Sequence, residues 1–113
     1  MEKQDTLSAL AALSQETRLD ISRLLVETGP EGRAVGRIGE ALRLPSATLS
    51  FHLKELKHAK LVTVRREGRS LIYAASFDTM TGLIEYLTRH CCAGDPAACG
   101  IAPPRSAARR ETA

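Results

Sequence analysis

A chain of 113 residues, 43% hydrophobic and 26% charged, has room for one small domain with a thin core. No apolar run reaches the length that spans a bilayer, and Met1-Glu2-Lys3-Gln4-Asp5 does not open a signal peptide, so a cytoplasmic protein without membrane contacts is expected. No Gly-rich phosphate loop, Ser/His/Asp arrangement or pair of carboxylates in a polar setting is present, and an enzyme is not expected.

Leu7, Leu10, Ala11 and Leu13 recur at helical spacing and predict an opening helix. Ser14 is the expected N-cap of a second helix, with Leu19, Ile21, Leu24 and Leu25 as its apolar face. Gly29-Pro30-Glu31-Gly32 stops that helix. A short helix follows from about Val35 to Leu42, and Arg43-Leu44-Pro45 breaks it. Ser46 is the expected cap of a fourth helix, which carries Leu49, Leu53 and Leu56 on one side. At Leu61 the period changes. Leu61 to Arg65 and Ser70 to Ala74 are rich in β-branched or aromatic residues around Arg66-Glu67-Gly68-Arg69, a β-hairpin with a basic tip. A last helix is expected from about Phe77 to His90, with Met80, Leu83, Ile84 and Leu87 as its stripe, ended by Gly94 and Pro96. From Ile101 onward no hydrophobic period remains, which predicts a disordered tail over 101–113.

The architecture expected is mainly α with a small β-hairpin, four helices followed by hairpin and helix: a winged helix-turn-helix. Charge agrees. The net charge of +3 is unevenly spread, since residues 1–31 are net acidic whereas 54–69 carry Lys54, Lys57, Lys60, Arg65, Arg66 and Arg69 against Glu55 and Glu67. A basic block of this kind is the footprint of a polyanion partner, although a solvated helix face has the same composition. Burial of Leu49, Leu53 and Leu56 turns Ala47, Ser50, Phe51 and Lys54 to the other side. Ser46 and Thr48 add short hydroxyls near the helix N-terminus, where phosphate is favoured. Phe51 either contacts a thymine methyl group or covers the wing. His52 lies nearer the apolar side and is expected to hydrogen-bond within the domain. Arg65, Arg66 and Arg69 would reach DNA backbone or minor groove. Winged helices also serve as protein-interaction modules.

All three cysteines fall in one window, Cys91-Cys92-Ala93-Gly94-Asp95-Pro96-Ala97-Ala98-Cys99. In a reducing compartment such clustering reads as metal-binding or redox-active, and three soft thiolates suit a thiophilic ion. In an unbroken helix Cys91 and Cys92 would point about 100° apart and would not share an ion. Gly94 and Pro96 predict that the helix has frayed there. As(III) or Sb(III) takes three sulfur donors. Zinc wants four ligands, with His90 as a strained fourth. A thiol-rich zinc, cadmium or lead site and a redox sensor remain alternatives.

Leu13-Ser14-Gln15-Glu16-Thr17-Arg18-Leu19-Asp20-Ile21, then Leu44-Pro45-Ser46-Ala47-Thr48-Leu49-Ser50-Phe51-His52-Leu53-Lys54-Glu55-Leu56, and the wing Arg66-Glu67-Gly68-Arg69-Ser70-Leu71-Ile72-Tyr73 together resemble the ArsR/SmtB family of metalloregulatory repressors, over about residues 5–90. The resemblance implies a homodimer that binds operator DNA and lets go when an inducer binds. One of the family's sensing sites, a Cys-x-Cys pair before the recognition helix, would fall on Ala34-Val35-Gly36-Arg37-Ile38, which has no thiol. The zinc pairs of the last helix are reduced here to Asp78. Cys91, Cys92 and Cys99 resemble the C-terminal triad of arsenic-responsive members, which implies As(III) as inducer, or Sb(III) or an organic trivalent arsenical.

The expected organisation is therefore a DNA-binding and dimerisation domain over 1–90, an inducer-binding segment over 91–100 and the tail. Met80, Leu83, Ile84 and Leu87 are expected to form a dimer seam with Leu7, Leu10 and Leu13. Gathering thiols at the end of the seam helix would shift the two recognition helices from their spacing of about 34 Å. A metal-buffering or protein-binding module would keep the cysteines and have no need of the wing arginines.

Overall fold

The computed structural model describes residues 1–95 together with 97 and 100. In chain order it contains α1 (Lys3–Leu13), α2 (Glu16–Thr28), β1 (Arg33–Ala34), α3 (Val35–Leu42), α4 (Ser46–His58), β2 (Val62–Glu67), β3 (Ser70–Ala75) and α5 (Phe77–Thr88). The expected order of helices and hairpin is present, with one strand added in front of α3. Cys99 and the tail expected over 101–113 lie outside the described residues.

The core is built from Ile21, Leu25, Ile38, Leu49, Leu53, Leu56 and Leu61, all at most 2% exposed. Helix α1 joins it through small residues. Its buried positions are Thr6, Ala9 and Ala12, while Leu7 and Leu10 remain 50% and 40% exposed. Small residues three apart let the backbone of α1 approach its neighbours, and the large side chains are left on the far side. In α2 the inward face is Ile21, Ser22 and Leu25, and Leu19 points to solvent. Gln15, not Ser14, caps this helix, its side chain accepting from the Arg18 amide at 2.9 Å.

Two helix ends set the geometry that follows. Arg43 takes a left-handed φ of 56° and the Leu44 amide bonds the Gly39 carbonyl at 3.0 Å. Lys60 takes φ 65° and the Leu61 amide bonds the Leu56 carbonyl at 2.9 Å. Both are Schellman-type stops, which satisfy orphan carbonyls and redirect the chain sharply. The first makes the tight turn between α3 and α4; the second sends the chain into β2.

The sheet has the order β1-β3-β2 and is antiparallel throughout. Val62 pairs with Ala75, Val64 with Tyr73 and Arg66 with Leu71, while Arg33 and Ala34 lie opposite Tyr73 and Ile72. Gly68 takes φ 61° at the first position of the two-residue turn, the sign that a type II′ hairpin demands. Gly32 has φ 76°, and a Cβ there would run into the Tyr73 carbonyl oxygen, so glycine is what allows β1 to reach the sheet. A two-residue strand carries too little periodicity to be read from sequence.

Candidate nucleic-acid interface and cysteine segment

Helix α4 separates its two faces cleanly. Leu49, Leu53 and Leu56 are buried with His52, and Ser46, Ala47, Thr48, Ser50, Phe51 and Lys54 are all exposed, Phe51 by 56%. The cap differs from expectation: Pro45 occupies the N-cap, no side chain bonds the first turn, and Ser46 is the first helical residue. A proline there supplies no side-chain acceptor, so the first-turn amides face outward for an external acceptor such as phosphate.

The wing stands beside this helix. Ser50 and Leu53 of α4, Val35 and Gly36 of α3, and Arg69, Leu71 and Tyr73 of the hairpin share one groove of about 360 Å³. A residue predicted to read bases and a predicted wing cation thus line the same concavity. The three wing arginines are not equivalent. Arg65 donates through Nε to Glu67 at 2.8 Å on the outer face of the hairpin, with both side chains about half exposed. Such surface pairs contribute little, about 0–1 kcal/mol, so a phosphate competes readily for Arg65. Arg66 and Arg69 are exposed at and beside the turn.

Sequence reading missed Arg37, which lines a second concavity with Arg33 and Glu40 at the start of α3. Its signal was a cation on the exposed side of the helix that crosses the DNA backbone in helix-turn-helix docking. It also missed Arg18. This side chain donates through Nε to the Ala12 carbonyl at 2.8 Å and through Nη1 to His52 Nδ1 at 3.2 Å. His52 is 9% exposed, with the Phe51 ring edge-on at 5.2 Å. Burial, and after it the Arg18 charge, hold the His52 pKa below its ordinary value, against a smaller opposing pull from Glu55.

The predicted seam residues divide. Leu7, Leu10, Ile84 and Leu87 are exposed, Leu87 by 59%; Leu13 and Met80 are half-buried. Leu83 is only 7% exposed and belongs to the protomer's own core. Helices α1 and α5 pack together, which gathers the exposed leucines and Ile84 onto one pair of elements.

Helix α5 stops at Thr88, two residues earlier than expected, so both described cysteines lie off the helix. The Cys91 amide bonds the Thr88 carbonyl at 3.0 Å, and a short 3-10 turn spans Cys92–Gly94. His90, Cys92 and Ala93 all adopt left-handed φ near 60°. Left-handed backbone is disfavoured for residues with a Cβ, so this segment is held in an uncommon shape. Cys91 and Cys92 are half-buried, His90 is exposed, and Cys92 is disulfide-bonded. Among the described residues no three His, Cys, Asp or Glu side chains gather as a metal site. Among the same residues no helix is long and apolar enough to cross a membrane.

A recognition helix with one hydroxyl-rich exposed face, a tight turn before it and a basic hairpin beside it define a winged helix-turn-helix domain. Residues 13–65 match the helix-turn-helix domain family. The chain is 35% identical over 80 residues to YceK of Bacillus subtilis, an uncharacterized HTH-type transcriptional regulator, covering 67% of this chain and 79% of the relative. It belongs to the helix-turn-helix transcriptional regulators, a family of DNA-binding proteins rather than enzymes. Among solved structures it resembles an ArsR-like transcriptional regulator from Rhodococcus sp. RHA1, with TM-score 0.67 and 26% identity over 97% of this chain and 93% of that one. It also resembles the homodimeric winged helix-turn-helix DNA-binding domain Mb0332 from Mycobacterium bovis, a possible ArsR-family regulator, with TM-score 0.61 and 29% identity over 77% and 85% of the two chains. The fold is thus that of the ArsR/SmtB-like winged-helix group.

Proposed function

We propose that the protein is a transcriptional repressor that binds operator DNA as a homodimer and releases it when trivalent arsenic, or antimony, is captured by Cys91, Cys92 and Cys99. Reading by α4 and anchoring by Lys54, Arg66 and Arg69 rest on the exposure of these side chains and on the groove shared by Ser50 and Arg69. Dimerisation through α1 and α5 is supported by the leucines left exposed there and by the homodimeric neighbour.

The observation that carries the inducer reading is the break of α5 before Cys91. With Cys92 reduced, two adjacent thiols lying off the helix can turn toward one ion, and thiolates are the donors that a soft trivalent ion prefers. The ion would cross-link the segment immediately after the seam helix. Ligand and DNA then oppose each other through a reciprocal coupling. The ion is held by thiolates, so capture releases protons and weakens as pH falls.

The disulfide at Cys92 favours a second reading, a thiol-redox regulator of the same fold. Mobility shifts of a bound duplex with the reduced protein separate the two. Arsenite and antimonite release DNA under the first reading; peroxide alone does so under the second, and zinc or cadmium under a closed four-ligand site. Cys91→Ser and Cys92→Ser should each bind DNA and lose the arsenite response, with X-ray absorption of the parent showing sulfur alone around arsenic. Serine variants that still respond to arsenite would place the inducer elsewhere.

A further inference from the structure

We propose that Arg18 and His52 form a latch that fixes the setting of α4 against α1, and that selective DNA reading requires this latch closed. The proposal rests on α4 being the DNA-reading helix. Arg18 is anchored at three points: its amide to Gln15 Oε1 at 2.9 Å, its Nε to the Ala12 carbonyl at 2.8 Å and its Nη1 to His52 Nδ1 at 3.2 Å. One side chain of α2 therefore joins the last turn of α1, part of the surface assigned to dimerisation, to the inner face of α4.

The chemistry of the bond to His52 is strict. A guanidinium donates and never accepts, so Nδ1 must present its lone pair and the ring proton must sit on Nε2. The imidazole is therefore neutral and rotationally fixed. Phe51, on the adjacent residue, lies edge-on to it at 5.2 Å with the planes at 67°, and is itself 56% exposed on the face turned to DNA. Packing alone would not call for a histidine here; Leu49, Leu53 and Leu56 fill the same face with apolar groups. What histidine adds is an acceptor for Arg18 and a group that proton binding can switch.

Protonation removes the acceptor and sets two cations against each other. The charges acting on the ring are Arg18 from α2, which opposes protonation, and Glu55 of α4 itself, which favours it. Burial keeps the ring neutral at ordinary pH. Acidification opens the latch, freeing α4 to shift on α1 without loss of the wing's phosphate contacts. The consequence is a loss of selective binding rather than of all binding.

The test uses the full chain and a 30-base-pair duplex that the parent selects from a randomised pool, with a scrambled duplex beside it, read by fluorescence anisotropy. Arg18→Lys and His52→Leu should bind the selected duplex about tenfold more weakly and the scrambled duplex unchanged, as expected for one charge-assisted hydrogen bond. His52→Asn places an amide oxygen near the site of Nδ1 and should restore selective binding, now level as pH falls from neutral through the folded His52 pKa located by NMR titration, where the parent weakens. Folded Arg18→Lys and His52→Leu proteins that bind the selected duplex like the parent overturn the latch. So does an asparagine variant as weak as the leucine one. If Arg18→Lys does not fold, a parent whose selective binding stays level over the same pH range overturns it. A parent that selects no sequence refutes the DNA-reading role of α4 itself, a result distinct from all of these.

Discussion

Leu87→Ala and Leu87→Glu probe the dimer seam without touching the protomer's fold. Leu87 is 59% exposed on α5, so over half of its surface is still to be buried by a second copy. Full burial of a leucine is worth about 2 kcal/mol, and the unburied share corresponds to about 1.2 kcal/mol. In an isologous interface each substitution counts twice, giving about 2.4 kcal/mol, or about fiftyfold in the dimer dissociation constant, for the alanine variant. Glutamate adds two carboxylates to an apolar seam and should leave monomers. Sedimentation velocity over a dilution series reads both variants, with circular dichroism melts to confirm that the protomer is intact. Leu83→Glu is the contrasting control: at 7% exposure it places the charge in the core and should unfold the protein. A parent that stays monomeric at about 100 µM, or a Leu87→Glu protein with the parent's dissociation midpoint, refutes the seam.

DNA affinity should fall steeply with salt: Lys54, Arg66 and Arg69 in two copies give about six phosphate contacts, and about a thousandfold loss between 50 and 200 mM salt by anisotropy. Arg69→Ala should flatten that slope more than Arg65→Ala, because Arg69 lines the groove with Ser50 whereas Arg65 lies on the outer face of the hairpin. Gly32→Ala should destabilise the fold by about 2–4 kcal/mol and lower the thermal midpoint by about 10 °C or more, since φ 76° and the Tyr73 carbonyl both oppose a Cβ. A variant melting with the parent would mean that β1 is dispensable. Stability should also depend on His52. Its folded pKa lies below the ordinary 6.5, so below that pH the unfolded chain binds the extra proton first. The contribution is level above pH 6.5 and is lost as pH falls from there through the folded value; urea melts of His52→Asn should lack this component.

Much of the reading surface was legible in advance. Alternation of Leu49, Leu53 and Leu56 with Ser50, Phe51 and Lys54 assigns both faces of α4, because a helix of known period leaves no freedom about which side a residue occupies. The same logic did not say which residues of α1 and α5 face the protomer's own core. In α1 the leucines were expected at a seam and Leu7 and Leu10 are indeed exposed, while Ala9 and Ala12 are inward because close helix approach needs small side chains. Leu83 was read as part of a seam that only its neighbours expose.

What the sequence determined by itself was local: the period of each helix, the stops at Gly29-Pro30 and Leu44-Pro45, the basic hairpin and the clustering of three thiols. Each follows from neighbouring residues whose spacing or backbone preference is a property of the chain. Only the tertiary structure decided that Arg33-Ala34 would pair with β3, that Ser50 and Arg69 would share a groove, and that Arg18 would bridge Ala12 and His52. These contacts join residues far apart in the chain, and their existence depends on helix packing that no local pattern encodes.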